Sequence, residues 1–230
     1  MDRALSSFYN FCFRRIVNQR LVKKATGLEN IPKANMIVAS NHQSHLDQLM
    51  TGYVCAPKPY HYIGQTDKYT GFTRLFMYFL YYIHGVIFIN RNSEKSRKKA
   101  IEKSIEVLKK GHCIVIYPEG GRSRTGEIQE GKCGVAKLFL KTGVPILPVG
   151  IQGTAQLMPI GRVFPKIKKV IEINIGKPLY FEKELAEAKK LDENSDRYQE
   201  IAREITDKVM EEIAHLSGNN NASRDISYPI

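Results

Sequence analysis

A histidine stands five residues ahead of an aspartate in Ser40-Asn41-His42-Gln43-Ser44-His45-Leu46-Asp47, and this is the pair best suited to move a proton. A carboxylate that accepts from one imidazole nitrogen fixes the tautomer and leaves the other nitrogen free as a base. On a regular helix five residues turn two side chains roughly 140° apart, so the pair meets only if His42 lies in a loop and Asp47 in the first helical turn. A plainer reading stands beside this one. Ser44-x-x-Asp47 also resembles a capping box, in which Asp47 serves backbone N–H groups and His42 is an ordinary turn histidine. A second candidate is Pro118-Glu119-Gly120-Gly121-Arg122-Ser123-Arg124-Thr125-Gly126. Its glycines let backbone N–H groups approach a ligand, and arginine offers a planar fork for phosphate.

The surrounding pattern supplies positions for both. Met36-Ile37-Val38-Ala39 reads as a buried strand that ends at His42, and a helix follows from Leu46 to about Val54, broken by Pro57 and Pro59. Tyr60–Ile63, Val86–Ile89, Cys113–Tyr117, Val144–Val149 and Val170–Ile175 read as further strands. Helices are expected over 93–110, with Ile101, Ile105 and Leu108 inward, over 133–142, and over 194–216, with Tyr198, Ile201, Ile205, Val209 and Ile213 in one stripe. Strands alternating with helices predict an α/β fold with a mostly parallel central sheet flanked by helices. The glycine–arginine loop then leaves the end of a strand, as His42 does, the usual place for chemistry in such a sheet.

Residues 1–25 read as an amphipathic helical appendage lying in a membrane interface, with packing on the protein's own core as the alternative: over 4–18, Leu5, Phe8, Tyr9, Cys12 and Ile16 share a face, with Arg14, Arg15, Arg20, Lys23 and Lys24 close by. The globular domain is expected over 26–216 and a mobile tail over 217–230. The apolar stretch 72–82 is either a buried helix or a lipid-facing surface. The run Leu75–Ile89 is short for a membrane span, and nothing resembles a cleavable signal peptide. Lys and Arg number 35 against 23 Asp and Glu, a net charge of +12, which favours an anionic partner: nucleic acid, anionic lipid or a phosphorylated substrate. Cys12, Cys55, Cys113 and Cys133 are scattered without a CxxC pair, which argues against a zinc site and for reduced thiols.

Four stretches, in order, resemble the glycerolipid acyltransferase family, most closely its 1-acyl-glycerol-3-phosphate type. His42 to Asp47 matches that family's HxxxxD motif; Gly85-Val-Ile-Phe-Ile-Asn-Arg91, Tyr117-Pro-Glu-Gly-Gly-Arg-Ser123 and Val144-Pro-Ile-Leu-Pro-Val149 resemble its other three. Asn90, Tyr117 and Gly121 depart from the usual Asp, Phe and Thr, and Gln65-Thr66-Asp67-Lys68 departs from the usual lysine followed by Glu-Leu. The resemblance implies transfer of an acyl group from acyl-CoA or acyl carrier protein to the hydroxyl of a lysophospholipid such as lysophosphatidic acid. It implies His42 as general base, Asp47 as its orienting partner, and backbone N–H groups near Gly120 and Gly121 for the oxyanion. Arg122, Arg91 and Lys132 would hold phosphate, Ser123 would contact substrate, and Glu119 would either position substrate or Arg122 or serve a purely structural role. No metal or cofactor is expected, and Cys113 and Cys133 are expected in the core. The expected location is the cytoplasmic face of a membrane, held at an anionic phospholipid surface.

Two rivals stand. A metal-dependent hydrolase would use His42, His45 and Asp47 and lose activity to a chelator. A nucleic-acid binder would need aromatics among the cations of 95–110, which that stretch lacks, so no nucleic-acid partner is expected.

Overall fold

In the computed structural model, residues 15–65, 85–90, 92–162 and 164–219 are described. Seven strands form one sheet in the order β1-β7-β6-β2-β5-β3-β4: β1 Val22–Thr26, β2 Ile37–Ser40, β3 Tyr60–Gln65, β4 Ile87–Ile89, β5 Cys113–Ile116, β6 Ile146–Gln152 and β7 Ile171–Ile175. All neighbours run parallel except β6 and β7. The principal helices are α1 Leu46–Cys55, α2 Glu94–Lys109, α3 Gly134–Thr142, α4 Thr154–Leu157, α5 Glu182–Ala188 and α6 Asp196–Leu216. The mostly parallel sheet flanked by helices is thus the one expected.

The uninterrupted apolar runs of the central strands follow from burial on both faces. Side chains alternate across a strand. Val38 of β2 and Cys113 and Val115 of β5 enter one core with Met50, Tyr53 and Val54 of α1. Ile37 and Ala39, with Ile114 and Ile116, enter the other, beneath α2, α3 and α6. In α6 the expected stripe of Tyr198, Ile201, Ile205, Val209 and Ile213 is buried, and Ser195 caps the helix by accepting from the Tyr198 N–H at 3.3 Å. The inward face of α2 is turned slightly from expectation. Ala100, Ser104 and Leu108 are buried, whereas Ile101 and Ile105 are partly so. Small Ala100 and Ser104 allow a close approach, and the Ser104 hydroxyl is satisfied by Ala100 O at 2.8 Å.

Three elements were not foreseen: β1, α4 and α5. The sequence Val22-Lys-Lys-Ala-Thr26 has little apolar periodicity because β1 is an edge strand. It pairs with β7, and Lys23 reaches Glu172 at 2.7 Å. The division expected between residues 25 and 26 falls inside this strand, and Val17, Leu21 and Val22 pack into the core. Ile16 is exposed, and residues 4–14 of the 4–18 segment, the 72–82 stretch and most of the 217–230 tail lie outside the described residues.

β2 lies between β5 and β6, parallel to both. The loops leaving the three carboxyl ends therefore emerge side by side, at a point where successive connections diverge to opposite sides of the sheet.

Candidate active site

His42 leaves β2 on a short loop whose backbone is fixed on both sides. Asn41 inserts its side-chain amide between main-chain groups of β6: Nδ2 donates to Ile151 O and Oδ1 accepts from Ile151 N, each at 2.8 Å. The N–H of His42 donates to Glu119 Oε1 at 2.8 Å, and its carbonyl accepts from Ser123 N at 2.7 Å. The catalytic loop is thereby tied to strands on either side of β2.

Asp47 sits in the first turn of α1, with 1% of its surface exposed. Its Oδ2 lies 2.9 Å from His42 Nδ1 and also accepts from Gln43 N at 2.6 Å and Ser44 N at 2.7 Å. Oδ1 accepts from Thr154 Oγ1 at 2.6 Å. The capping and the orienting readings of Asp47 therefore hold together: one carboxylate satisfies two backbone donors and grips the imidazole. An accepting oxygen opposite Nδ1 puts the hydrogen there and leaves Nε2 as the basic nitrogen. The His42 ring stacks on Tyr117, with centroids 4.0 Å apart and planes 14° from parallel. Thr51 directs its hydroxyl to Asp47 O and Gln48 O, at 3.0 and 3.2 Å, so the Tyr117 hydroxyl donates to Thr51 Oγ1 at 3.1 Å. Burial, aided by the charge of Asp47, raises the Tyr117 pKa well above its usual range, keeping the phenol neutral.

His42 opens onto a cleft of about 730 Å³ whose wall includes Tyr117, Gly120, Gly121, Arg122 and Lys132. Among the described residues no acid pairs with Arg122 or Lys132. Gly120 has φ +74°, a left-handed backbone that favours glycine, and the Lys132 side chain packs over it. The far wall carries further cations from two helix faces. Lys98 lies one turn from Ile101 on α2, and Lys137 and Lys141 are one turn apart on α3. Lys141 is paired with Glu193.

The sequence-derived candidates separate into groups. His42, Asp47, Gly120, Gly121, Arg122 and Lys132 come together around the cleft. Arg91 lies outside the described residues. Glu119 and Ser123 turn inward: Glu119 takes the structural one of its two expected roles, and Ser123, expected on substrate, joins it. Glu119 is buried and its second oxygen accepts from Gln129 N at 3.2 Å; Ser123 Oγ accepts from Gly126 N at 3.0 Å. They brace the loop because its buried backbone donors need acceptors. The Gly120 N–H is spent on Tyr117 O at 2.9 Å, so it is not an oxyanion donor. Among the described residues nothing accepts from the N–H of Gly121 or Arg122. Cys113 is in the core as expected, whereas Cys133 is half-buried and joins the cleft wall. Thr154 and the Tyr117 stack were not foreseen. A threonine 107 positions from its partner leaves no local signal.

The geometry agrees with the comparisons. The family model described as Acyltransferase matches residues 23–152, more than half of the chain. The chloroplastic 1-acyl-sn-glycerol-3-phosphate acyltransferase of Brassica napus is 30% identical over 162 residues, covering 67% of this chain and 44% of that protein. The 1-acyl-sn-glycerol-3-phosphate acyltransferase of Borreliella burgdorferi is 39% identical over 130 residues, 56% of this chain and 50% of that protein. The Saccharomyces cerevisiae protein of the same name is 28% identical over 210 residues, 90% of this chain and 64% of its own. The chain thus spans less than two thirds of each of these curated relatives. The crystal structure of the 1-acyl-sn-glycerophosphate acyltransferase from Thermotoga maritima shares the fold, with a TM-score of 0.63 at 24% identity, over 98% of this chain and 81% of that one. With the HxxxxD pair closed into a hydrogen-bonded dyad on that fold, this chain belongs to the acyltransferase family.

Proposed function

We propose that the protein moves a fatty acyl group from acyl-CoA or acyl carrier protein to the free hydroxyl of lysophosphatidic acid, giving phosphatidic acid. The observation that carries the reading is the 2.9 Å contact of His42 Nδ1 with Asp47, beside a cleft lined by Arg122 and Lys132. The names of the curated relatives support the acceptor. His42 Nε2 takes the proton of the acceptor hydroxyl as its oxygen attacks the thioester carbonyl. The developing oxyanion is met by the N–H groups of Gly121 and Arg122. Collapse breaks the carbon–sulfur bond, and the imidazolium returns its proton to the departing thiolate. The products are an ester and a thiol, with no covalent acyl-enzyme and no redox change, so the step calls on no cofactor. Arg122 and Lys132 hold the acceptor phosphate.

The test is acyl transfer by the purified chain with labelled donors and lyso-acceptors with and without phosphate. His42→Ala is expected to lose activity by about 10²–10⁴-fold, the usual worth of a general base. Asp47→Asn should lose most of the rate, and Arg122→Ala should chiefly raise the acceptor KM. Near-wild-type turnover by a folded His42→Ala variant overturns the mechanism.

A further inference from the structure

Between α4 and β7 the chain carries Ile160, Phe164 and Ile167 out into solvent, at 42%, 79% and 73% exposure. Phe164 and Ile167 are the most exposed large apolar side chains among the described residues. They are interleaved with Arg162, Lys166, Lys168 and Lys169, and no acid occurs from Met158 to Ile171. Among the described residues none of the four cations is in an ion pair. The loop is nevertheless anchored. Lys166 N donates to Leu157 O at 2.9 Å, Arg162 N to Pro159 O at 3.1 Å, and Arg162 Nε to Phe164 O at 2.9 Å. At its exit Val170 N and Ile171 N donate to Leu21 O, at 3.1 and 3.0 Å. Apolar side chains held in water by a fixed backbone need an apolar partner, and cations on either side of them select an anionic one.

We propose that residues 158–162 and 164–169 form a membrane-docking loop, in which Phe164 and Ile167 enter the headgroup boundary of an anionic bilayer while the surrounding Lys and Arg meet lipid phosphates. The docking loop is joined to the catalytic loop directly: Ser44 Oγ donates to Met158 O at 2.7 Å, and Thr154, at the start of the same connection, holds Asp47. The inference rests on the reading that the acceptor is a lipid, and it gives that lipid a route: a loop seated in the bilayer brings the dyad to the surface from which a lysolipid leaves.

The chain contains no tryptophan, so Phe164→Trp places a single reporter at the tip. The full chain carrying it is mixed with phosphatidylcholine vesicles, with and without phosphatidylglycerol, and with vesicles of brominated acyl chains. The expected result is a blue-shifted emission on anionic vesicles and quenching by bromine. A Phe164→Ser/Ile167→Ser variant is expected to sediment with those vesicles at least roughly tenfold more weakly, since each apolar side chain removed from water contributes about that much. Replacing Lys103, on α2 and outside the cleft wall, by Gln serves as the charge control and should sediment as wild type. Vesicle binding without a blue shift, or unchanged sedimentation of the double variant, overturns the proposal. Acyl transfer to detergent-dispersed acceptor separates the two readings. If it persists while the tryptophan stays in water, the loop assignment alone fails; if it is absent with every donor, the proposed function fails.

Discussion

Thr154 occupies the carboxylate oxygen of Asp47 that the imidazole does not use, and both residues are buried. A buried acceptor that loses its donor costs about 1–3 kcal/mol. Thr154→Val keeps the shape and removes the hydroxyl. It is expected to lower kcat roughly tenfold with little change in KM, because the site binds as before while Asp47 holds His42 less firmly. Thr154→Ser should restore the rate. An unchanged kcat in a Thr154→Val enzyme that is merely less stable would mark the threonine as a packing residue. Thr154 lies outside the matched residues 23–152, so this support for the dyad comes from the chain beyond the family core.

At the scale of elements, Glu119 is the tie between the loop after β5 and the loop after β2. Burial pushes its carboxyl up from 4.5 to about 7; the N–H bonds from Gln129 and His42 work against the rise, and the charge of Asp47 adds to it. Between those values the folded chain holds a proton that the unfolded chain has lost, so stability falls as pH rises through the window. Glu119→Gln cannot titrate and removes this slope. Unfolding free energies from urea titrations at about pH 5 and about pH 7.5 should differ more in wild type than in the variant, by on the order of 2 kcal/mol. Equal slopes would show that the strain of burying this carboxylate is relieved elsewhere. The glutamine also cannot accept from both His42 N and Gln129 N, so activity should drop at every pH.

For the whole molecule, the charge of +12 and the free cations of the docking loop predict binding to anionic vesicles that weakens as salt rises, since exposed charges more than about 10 Å apart are screened at 0.1 M. Sedimentation of the full chain with phosphatidylglycerol vesicles at low and high salt checks this, and equal binding to phosphatidylcholine vesicles would count against it. Removing the first 24 residues is not a clean test of membrane attachment. It deletes Val17, Leu21 and Val22 from the core and most of β1 from the sheet edge. Among the described residues no helix is long and apolar enough to cross a membrane. The described surface offers the bilayer a loop.

What the sequence determined by itself was whatever is written locally. Apolar runs marked β2, β5 and β6, the 3.6-residue stripe marked α6, and the spacing from His42 to Asp47 required a loop followed by a helix. Tertiary structure decided the rest, because it depended on neighbours distant in the chain. β1, with only Val22 and Ala25 apolar, becomes a strand only beside β7. Glu119 and Ser123 look like ligand contacts in a glycine-rich loop until the parallel register of β2 and β5 sets the backbone of His42 against them. Thr154 acquires its role only because β6 delivers it to Asp47. Residue types and spacing can name a base and its carboxylate; which groups satisfy the remaining donors and acceptors around them is settled when the sheet brings three loop ends together.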